Sequence, residues 1–237
     1  MAASQPPRFE SFAILTPRLI IIPTPIAVTC RSYRALYSAL HADSNFCQIA
    51  FGEHFKARNW TDDETRQVIE SRDINRCWDA RGMGDFAVGL RRSLHSNDLD
   101  TNSDITILQE SQGTLLTGSN GEYMDQIEWV GYAGVRDATT TSLPRREPHD
   151  PVLPAWHEMV ELRYGLSSRF WGAGMAKEAA EAIMQWAVRE RGVRRFIAET
   201  ERENRQSARL LEKLGFVVSG TDYWKEPSEV EWELVVV

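Results

Sequence analysis

The sequence predicts an α/β (α+β) fold, in which the strands of one sheet are interleaved with the helices that cover it. Three observations lead there. In the second half of the chain, short runs with strand character alternate with helical periodicities, the order expected where helices pack on a sheet. The stretch Glu161–Glu178 begins as a strand, turns at Gly172-Ala173-Gly174 and opens a long helix. Hydrophobic residues make up 42% of the 237, enough to build a core. No internal repeat or domain boundary is visible, so residues 1–237 read as a single domain with a polar insertion at about 93–125.

Residues 1 to about 12 are polar and proline-containing, a loose lead-in. Ile14–Ile22 is a β-rich run that ends at Pro23. Val28, Tyr33, Leu36, Tyr37 and Leu40 recur at helical spacing and predict a helix from Ala27 to about Leu40. Asp43–Trp60 carries no period and reads as irregular. Thr61-Asp62-Asp63-Glu64 is a capping box, and the helix it opens turns Val68, Ile69 and Ile74 inward until Gly82-Met83-Gly84 breaks it near Arg81.

Phe86, Val88 and Leu90 alternate like a strand. Ser93–Asp125 is rich in Ser, Asn, Asp, Thr and Gly, with one β-like run at Ile105–Leu108; it reads as a mobile surface excursion dispensable for the fold. Glu128–Val135 returns as a strand, and Arg136–Pro154, with its four prolines, is a second polar loop. His157–Leu166 is the strand that leads into the glycine turn.

Met175–Arg191 sets Ala176, Ala179, Ala180, Ile183, Met184 and Ala187 on one side, a small-residue face suited to close packing on a sheet, and Gly192 follows as its C-cap. Arg195–Thr200 is a strand. Asn204 caps a helix carrying Ala208, Leu211 and Leu214 that stops at Gly215. Phe216–Ser219 and Glu231–Val237 supply two closing strands.

A net charge of −7 argues against non-specific nucleic-acid binding, which needs a basic face, and is compatible with a cationic partner such as an amine. The three cysteines, Cys30, Cys47 and Cys77, form no Cys-x-x-Cys and suggest neither a disulfide framework nor a zinc site. They fit a reducing compartment, hence the cytoplasm. The apolar run Leu19–Ile22 stops at Pro23, so no signal peptide or membrane span is read. The five histidines are scattered, which predicts no metal site.

The chemistry is carried by the glycine turn. Side chains as small as those of Gly172, Gly174 and Ala176 let a ligand approach the backbone. The first turn of the following helix offers unpaired N–H groups and the positive end of the helix dipole, which together bind phosphate readily.

Trp171-Gly172-Ala173-Gly174-Met175-Ala176 resembles the (Gln/Arg)-x-x-Gly-x-(Gly/Ala) acetyl-CoA signature of the GNAT acetyltransferases. Trp171 stands where many members have Gln or Arg; this register is preferred to one starting at Arg169 because it sets Ala176–Ala179 in step with the family helix. The wording around Phe170-Trp171, and Thr16-Pro17-Arg18-Leu19 in the first apolar run, are similar to the RimJ/RimL-like branch that includes the ribosomal-protein N-terminal acetyltransferases. Asn204-x-x-Ser207, followed by Leu211-Glu212-Lys213-Leu214-Gly215-Phe216, resembles the second family signature.

The resemblance implies the GNAT fold, a twisted mixed sheet of six to seven strands with helices on both faces. It implies acetyl-CoA as the acetyl donor, a primary amine as acceptor (a protein N-terminus or a small amine), and direct transfer in a ternary complex. The N–H groups from Gly172 through Ala173, Gly174 and Met175 to Ala176 would cradle the pyrophosphate, beside Trp171. The backbones of Tyr164 and Leu166 would pair with the pantothenate amides, and Asn204 would lie along the same arm. Ser207 would lie near the sulfur. Many members carry a thiolate-protonating Tyr where this chain has Leu211, so Ser207, a water or no acid takes that role. For the base, Glu161 and Glu199 are the candidate carboxylates. A small-molecule or antibiotic amine acetyltransferase and a non-catalytic acyl-CoA sensor stand as alternatives.

Overall fold

The computed structural model describes residues 9–52, 55–91, 105–109 and 122–236. Among these, nine strands form one sheet: β1 (Phe12–Leu15), β2 (Leu19–Pro23), β3 (Asp85–Leu90), β4 (Thr106–Gln109), β5 (Trp129–Asp137), β6 (Val160–Leu166), β7 (Arg195–Glu201), β8 (Val217–Val218) and β9 (Glu229–Val235). Their order across the sheet is β4-β1-β2-β3-β5-β6-β7-β9-β8. Neighbours run antiparallel except β6 and β7, which are parallel.

The sheet exceeds the expected six to seven strands for identifiable reasons. Ile14–Ile22 is not one strand but a tight hairpin, β1 and β2, paired Ile14 to Ile21 and Leu15 to Ile20. Pro17 sits in the turn, where its missing N–H costs nothing, and the Thr16 hydroxyl accepts the Leu19 N–H at 2.9 Å. The insertion contributes β4, which pairs with β1 from Phe12–Gln109 to Leu15–Thr106. Ile105, just before β4, and Met124, near the end of the insertion, are both buried. The expectation of a plain surface excursion is therefore corrected for these described residues, which pair and pack on the core; the rest of the insertion, 93–104 and 110–121, lies outside the described residues.

Among the described residues, five α-helices of eight residues or more cover the sheet: α1 (Arg31–Ala42), α2 (Ser44–Phe51), α3 (Asp62–Ile69), α4 (Met175–Arg191) and α5 (Arg205–Lys213). Helix α2 lies in the stretch that reads as irregular. Its start is capped by Asp43, whose carboxylate accepts the N–H groups of Asn45 and Phe46. The capping box of α3 is formed in both directions between Thr61 and Glu64. Beyond α3 the helical path continues to Arg81, but Glu70–Trp78 widens into a π-helix. Asp73 in that segment is buried, where its carboxylate accepts the Thr24 hydroxyl and the Asp85 N–H.

Both faces of the sheet are apolar because both are covered. Along β2, Leu19 and Ile21 join the layer under α4 and α5, while Ile20 and Ile22 join the layer under α1 and α2. All four are essentially excluded from solvent, a gain of ~2 kcal/mol each over exposure. The lead-in is not wholly loose: Phe9 meets Trp78 edge-on, and Phe12 stacks on Trp186 of α4 at 5.3 Å.

The feature that makes a site is the parting of β6 from β7. On one side β6 pairs with β5 along its whole length, from Val160–Asp137 to Leu166–Gly131. On the other side it meets β7 only at Val160–Phe196 and Glu161–Ile197. Past Glu161 the edge of β6 is free, while β7 continues along β9 as far as Glu201–Glu229.

Candidate active site

The space left between β6 and β7 is a cavity of about 600 Å³. Its floor is the β6–β7 junction at Glu161. Its mouth is the glycine turn and the start of α4. One flank comes from α2, through Phe46, Ile49 and Phe51, and the other from α5, through Ser207 and Leu211.

The turn is built locally. Trp171 folds back so that its Nε1 donates to the Leu166 carbonyl at 2.8 Å. Gly172 and Gly174 adopt φ of 76° and 77°, in the left-handed region that glycine enters without penalty. Gly174 is the N-cap of α4 and offers no side-chain cap, so the first-turn N–H groups of Met175, Ala176 and Lys177 lack intrahelical acceptors. A Cβ added at Gly172 would meet nothing within 4 Å, and one at Gly174 only the tip of Arg18. An uncapped helix start with an open approach fits a phosphate group.

The turn is held from outside by the β1–β2 hairpin. Arg18 Nη1 donates to the Ala173 carbonyl at 2.7 Å, and Arg18 Nε and Thr16 Oγ1 each donate to the Glu178 carboxylate at 2.6 Å.

Ser207 and Asn204 stand on the α5 flank. Asn204 caps α5 by accepting the Ser207 N–H at 3.0 Å, and its Nδ2 donates to the Ile49 carbonyl of α2 at 2.9 Å, tying the two flanks together. The Ser207 hydroxyl is not spent on its own cap. It lies 2.6 Å from the hydroxyl of Tyr164, which comes from β6. Burial pushes the Tyr164 phenol up to about 12, the Ser207 hydrogen bond partly opposing it.

The carboxylates occupy the junction end. Burial alone would raise the pKa of Glu161, but Arg136 and the Ser142 hydroxyl overcome it and the pKa falls below its ordinary value. Arg136 donates to both Glu161 oxygens, at 2.9 and 2.7 Å. Glu199 is the opposite case. Burial first, then its hydrogen bond to Glu229 and the charge of Glu161, push it up to about 10. At neutral pH Glu199 holds its proton and shares it with Glu229, while Glu161 is ionised with its oxygens already engaged. Arg163 lies 3.6 Å from Asp85 and stacks over Tyr132.

Glu161, Glu199 and Ser207 therefore line one cavity together with Tyr164, Leu166, Trp171, Gly172, Gly174, Met175, Ala176 and Asn204. Ala173 is not on the wall; its carbonyl takes the Arg18 contact. Sequence reasoning misses Glu229, Arg136, the Tyr164 hydroxyl and the aromatic residues of α2. The proximity of Glu229 to Glu199 arises from the β7–β9 register, and no local pattern announces it. His157 lies in a single helical turn before β6, 3.9 Å from Glu158. His41 is buried between the rings of Tyr37 and Trp60, and burial lowers its pKa to about 4. No helix among the described residues is long and apolar enough to cross a membrane.

Residues 28–217 match the family model described as "Acetyltransferase (GNAT) domain". The chain belongs to the GNAT acetyltransferase family. It is 34% identical over 73 residues to the uncharacterized protein YkkB of Bacillus subtilis (strain 168), a match over 30% of this chain and 42% of that relative's length. Among solved structures, an acetyltransferase from Agrobacterium tumefaciens str. C58 has a TM-score of 0.55 at 18% identity, covering 100% of this chain and 98% of that one. RimL, a ribosomal L7/L12 alpha-N-protein acetyltransferase, scores 0.52 at 14% identity, over 93% and 92%. A spermidine N-acetyltransferase from Vibrio cholerae, with CoA and spermine, scores 0.53 at 10% identity, over 95% and 95%. At these identities the likeness is one of fold.

Proposed function

We propose that this chain moves an acetyl group from acetyl-CoA to a primary amine, with both reactants held in the cavity at once. The observation that carries the reading is the continuity of the open β6 edge with the uncapped start of α4. The N–H groups from Gly172 to Ala176 hold the pyrophosphate, next to Trp171. The backbones of Tyr164 and Leu166 take the amides of the pantetheine arm, with Asn204 alongside and Ser207 nearer the sulfur. Binding both partners in one cavity removes the entropy cost of their encounter from the chemical step.

The amine enters from the α2 flank and gives up its proton at the carboxyl pair. Glu199 is the protonated member, so Glu229 is the acceptor. Glu161, neutralised by Arg136, holds the junction in shape and takes no proton itself. Proton transfer by a positioned group requires hydrogen-bond reach, directly or through one water.

For the acceptor we favour a protein N-terminus, the RimJ/RimL-like reading, on the Thr16-x-Arg18-Leu19 and Phe170-Trp171-Gly172 wording. A small amine is the competing reading, since RimL and the spermidine enzyme resemble the chain equally in fold. The reaction is assigned to the cytoplasm, in keeping with three free, buried cysteines. The test is thiol release from acetyl-CoA with a panel of peptides with free N-termini, polyamines and aminoglycosides. Release with peptides alone supports the first reading, and release with polyamines or aminoglycosides the second. Tight acetyl-CoA binding with no release from any amine leaves a sensor instead.

A further inference from the structure

Breaking a thioester leaves its electron pair on sulfur, and a proton donor beside that sulfur eases the break. Four hydroxyls line the cavity, on Tyr132, Tyr164, Thr200 and Ser207. Thr200 Oγ1 accepts from Trp232 Nε1 at 2.9 Å, on the β9 side. Tyr132 lies under the Arg163 guanidinium, among the aromatic rings of α1. Tyr164 and Ser207 remain, and they meet across the gap, one from β6 and the other from α5.

Their placement is fixed at both ends. The Ser207 N–H is held by Asn204, and Asn204 by Ile49, so the backbone that carries the serine hydroxyl is tied to both flanks. Tyr164 stands on the free edge of β6, two residues before Leu166 and three after Glu161, midway between the glycine turn and the carboxylates. A hydroxyl pair 2.6 Å apart uses one proton between its oxygens and leaves the other to point elsewhere. With Ser207 as donor, the phenolic proton of Tyr164 has only the Ser207 carbonyl at 3.5 Å, a long contact that a ligand atom in the cavity can replace.

We propose that Tyr164 is the acid of the transfer, giving its phenolic proton to the departing sulfur while Ser207 hydrogen-bonds the phenolate left behind. The inference rests on the transferase reading above. The amine nitrogen's lone pair forms the new C–N bond, and the C–S pair leaves with sulfur. Sulfur takes the Tyr164 proton, water restores it to the phenolate, and the proton shed by the amine passes through the carboxyl pair to water. The sum is amine plus thioester giving amide plus thiol, with no net proton gained or lost. Burial keeps the phenol protonated throughout the neutral range, the state an acid requires.

The test uses CoA as probe and needs no acceptor. The thiol of CoA bound to the wild-type chain is titrated by its thiolate absorbance and compared with the Tyr164→Phe and Ser207→Ala complexes. A donor at the sulfur stabilises the thiolate, so wild-type-bound CoA is expected to ionise about one pH unit below the Tyr164→Phe complex, with Ser207→Ala between them. Difluorotyrosine at 164 keeps the shape and strengthens the donor, so ionisation is expected lower still. In turnover with the best amine, Tyr164→Phe is expected to lose about 100-fold in kcat with little change in KM for acetyl-CoA. Coincident titrations of the wild-type and Tyr164→Phe complexes, both with CoA bound, overturn the role of Tyr164 and leave the transferase reading intact. A wild-type chain that binds no CoA overturns both.

Discussion

Arg18 Nε donates to Glu178 Oε2 across 2.6 Å, joining the first hairpin of the chain to the first turn of α4. The Arg18 N–H reaches the other oxygen at 3.0 Å. A carboxylate in the first turn is already favoured by the helix dipole, and here it also receives three donors from one turn of chain. The pair fixes the pose of the glycine turn from outside the cavity. Arg18→Ala is expected to weaken acetyl-CoA binding about tenfold, equivalent to 1.4 kcal/mol. Because the Arg18 side chain is half exposed, folding stability should change by less than about 1 kcal/mol. Calorimetric titration beside thermal unfolding separates the two; unchanged affinity would mean that the turn keeps its shape unaided.

Gly174→Glu is expected to abolish acetyl-CoA binding while the chain still folds. At φ 77° any side chain strains the backbone by ~1–2 kcal/mol, so some loss of stability accompanies the substitution. Gly174→Ala carries the same strain without the carboxylate. If the alanine variant binds within a few-fold of wild type and the glutamate variant does not, the cause is charge and bulk at the cradle. Wild-type affinity in folded Gly174→Glu would remove the turn from the binding site.

Glu199 makes stability fall as pH rises. Its carboxyl titrates near 10 in the folded chain against 4.5 for an ordinary glutamate, so the folded state holds this proton more tightly. The stabilisation is whole below pH 4.5 and drains away as pH climbs through 10. Glu199→Gln keeps the neutral form at every pH. Its melting temperature is expected to decline less than that of wild type between pH 6 and 10, and parallel curves would contradict the shift. In turnover, Glu199→Gln is expected to retain more activity than Glu229→Gln.

Met124→Ala is expected to cost ~2–5 kcal/mol, the range for truncating a buried methionine. Denaturant unfolding measures it. A loss under ~1 kcal/mol would restore the view of the whole insertion as an accessory.

How far the chain could be read depended on whether a signal was local. Met175–Arg191 is legible to the residue because its alanine face repeats and Gly192, at φ 64°, ends it. The capping box at Thr61 is legible for the same reason. The β1–β2 hairpin is not, because both faces of the sheet are covered and the apolar run carries no alternation; only Pro17 marks the turn. Helix α2 is only eight residues long, too short to display a period. In the site, the glycine turn is contiguous and was readable, whereas the Glu199–Glu229 pair and the Tyr164–Ser207 contact join residues thirty or more positions apart.

The parallel seam between β6 and β7 is two residue pairs long, yet it is where β1–β6 and the C-terminal group β7-β9-β8 meet in the sheet. The C-terminal group, with α5 folded against it, is built from neighbouring segments of chain and can assemble with little loop closure. In deuterium exchange the amides of β5 and β6 are therefore expected to report one opening energy and those of β7 and β9 another. The gap between the two would measure how tightly a two-rung weld binds the halves of a nine-stranded sheet.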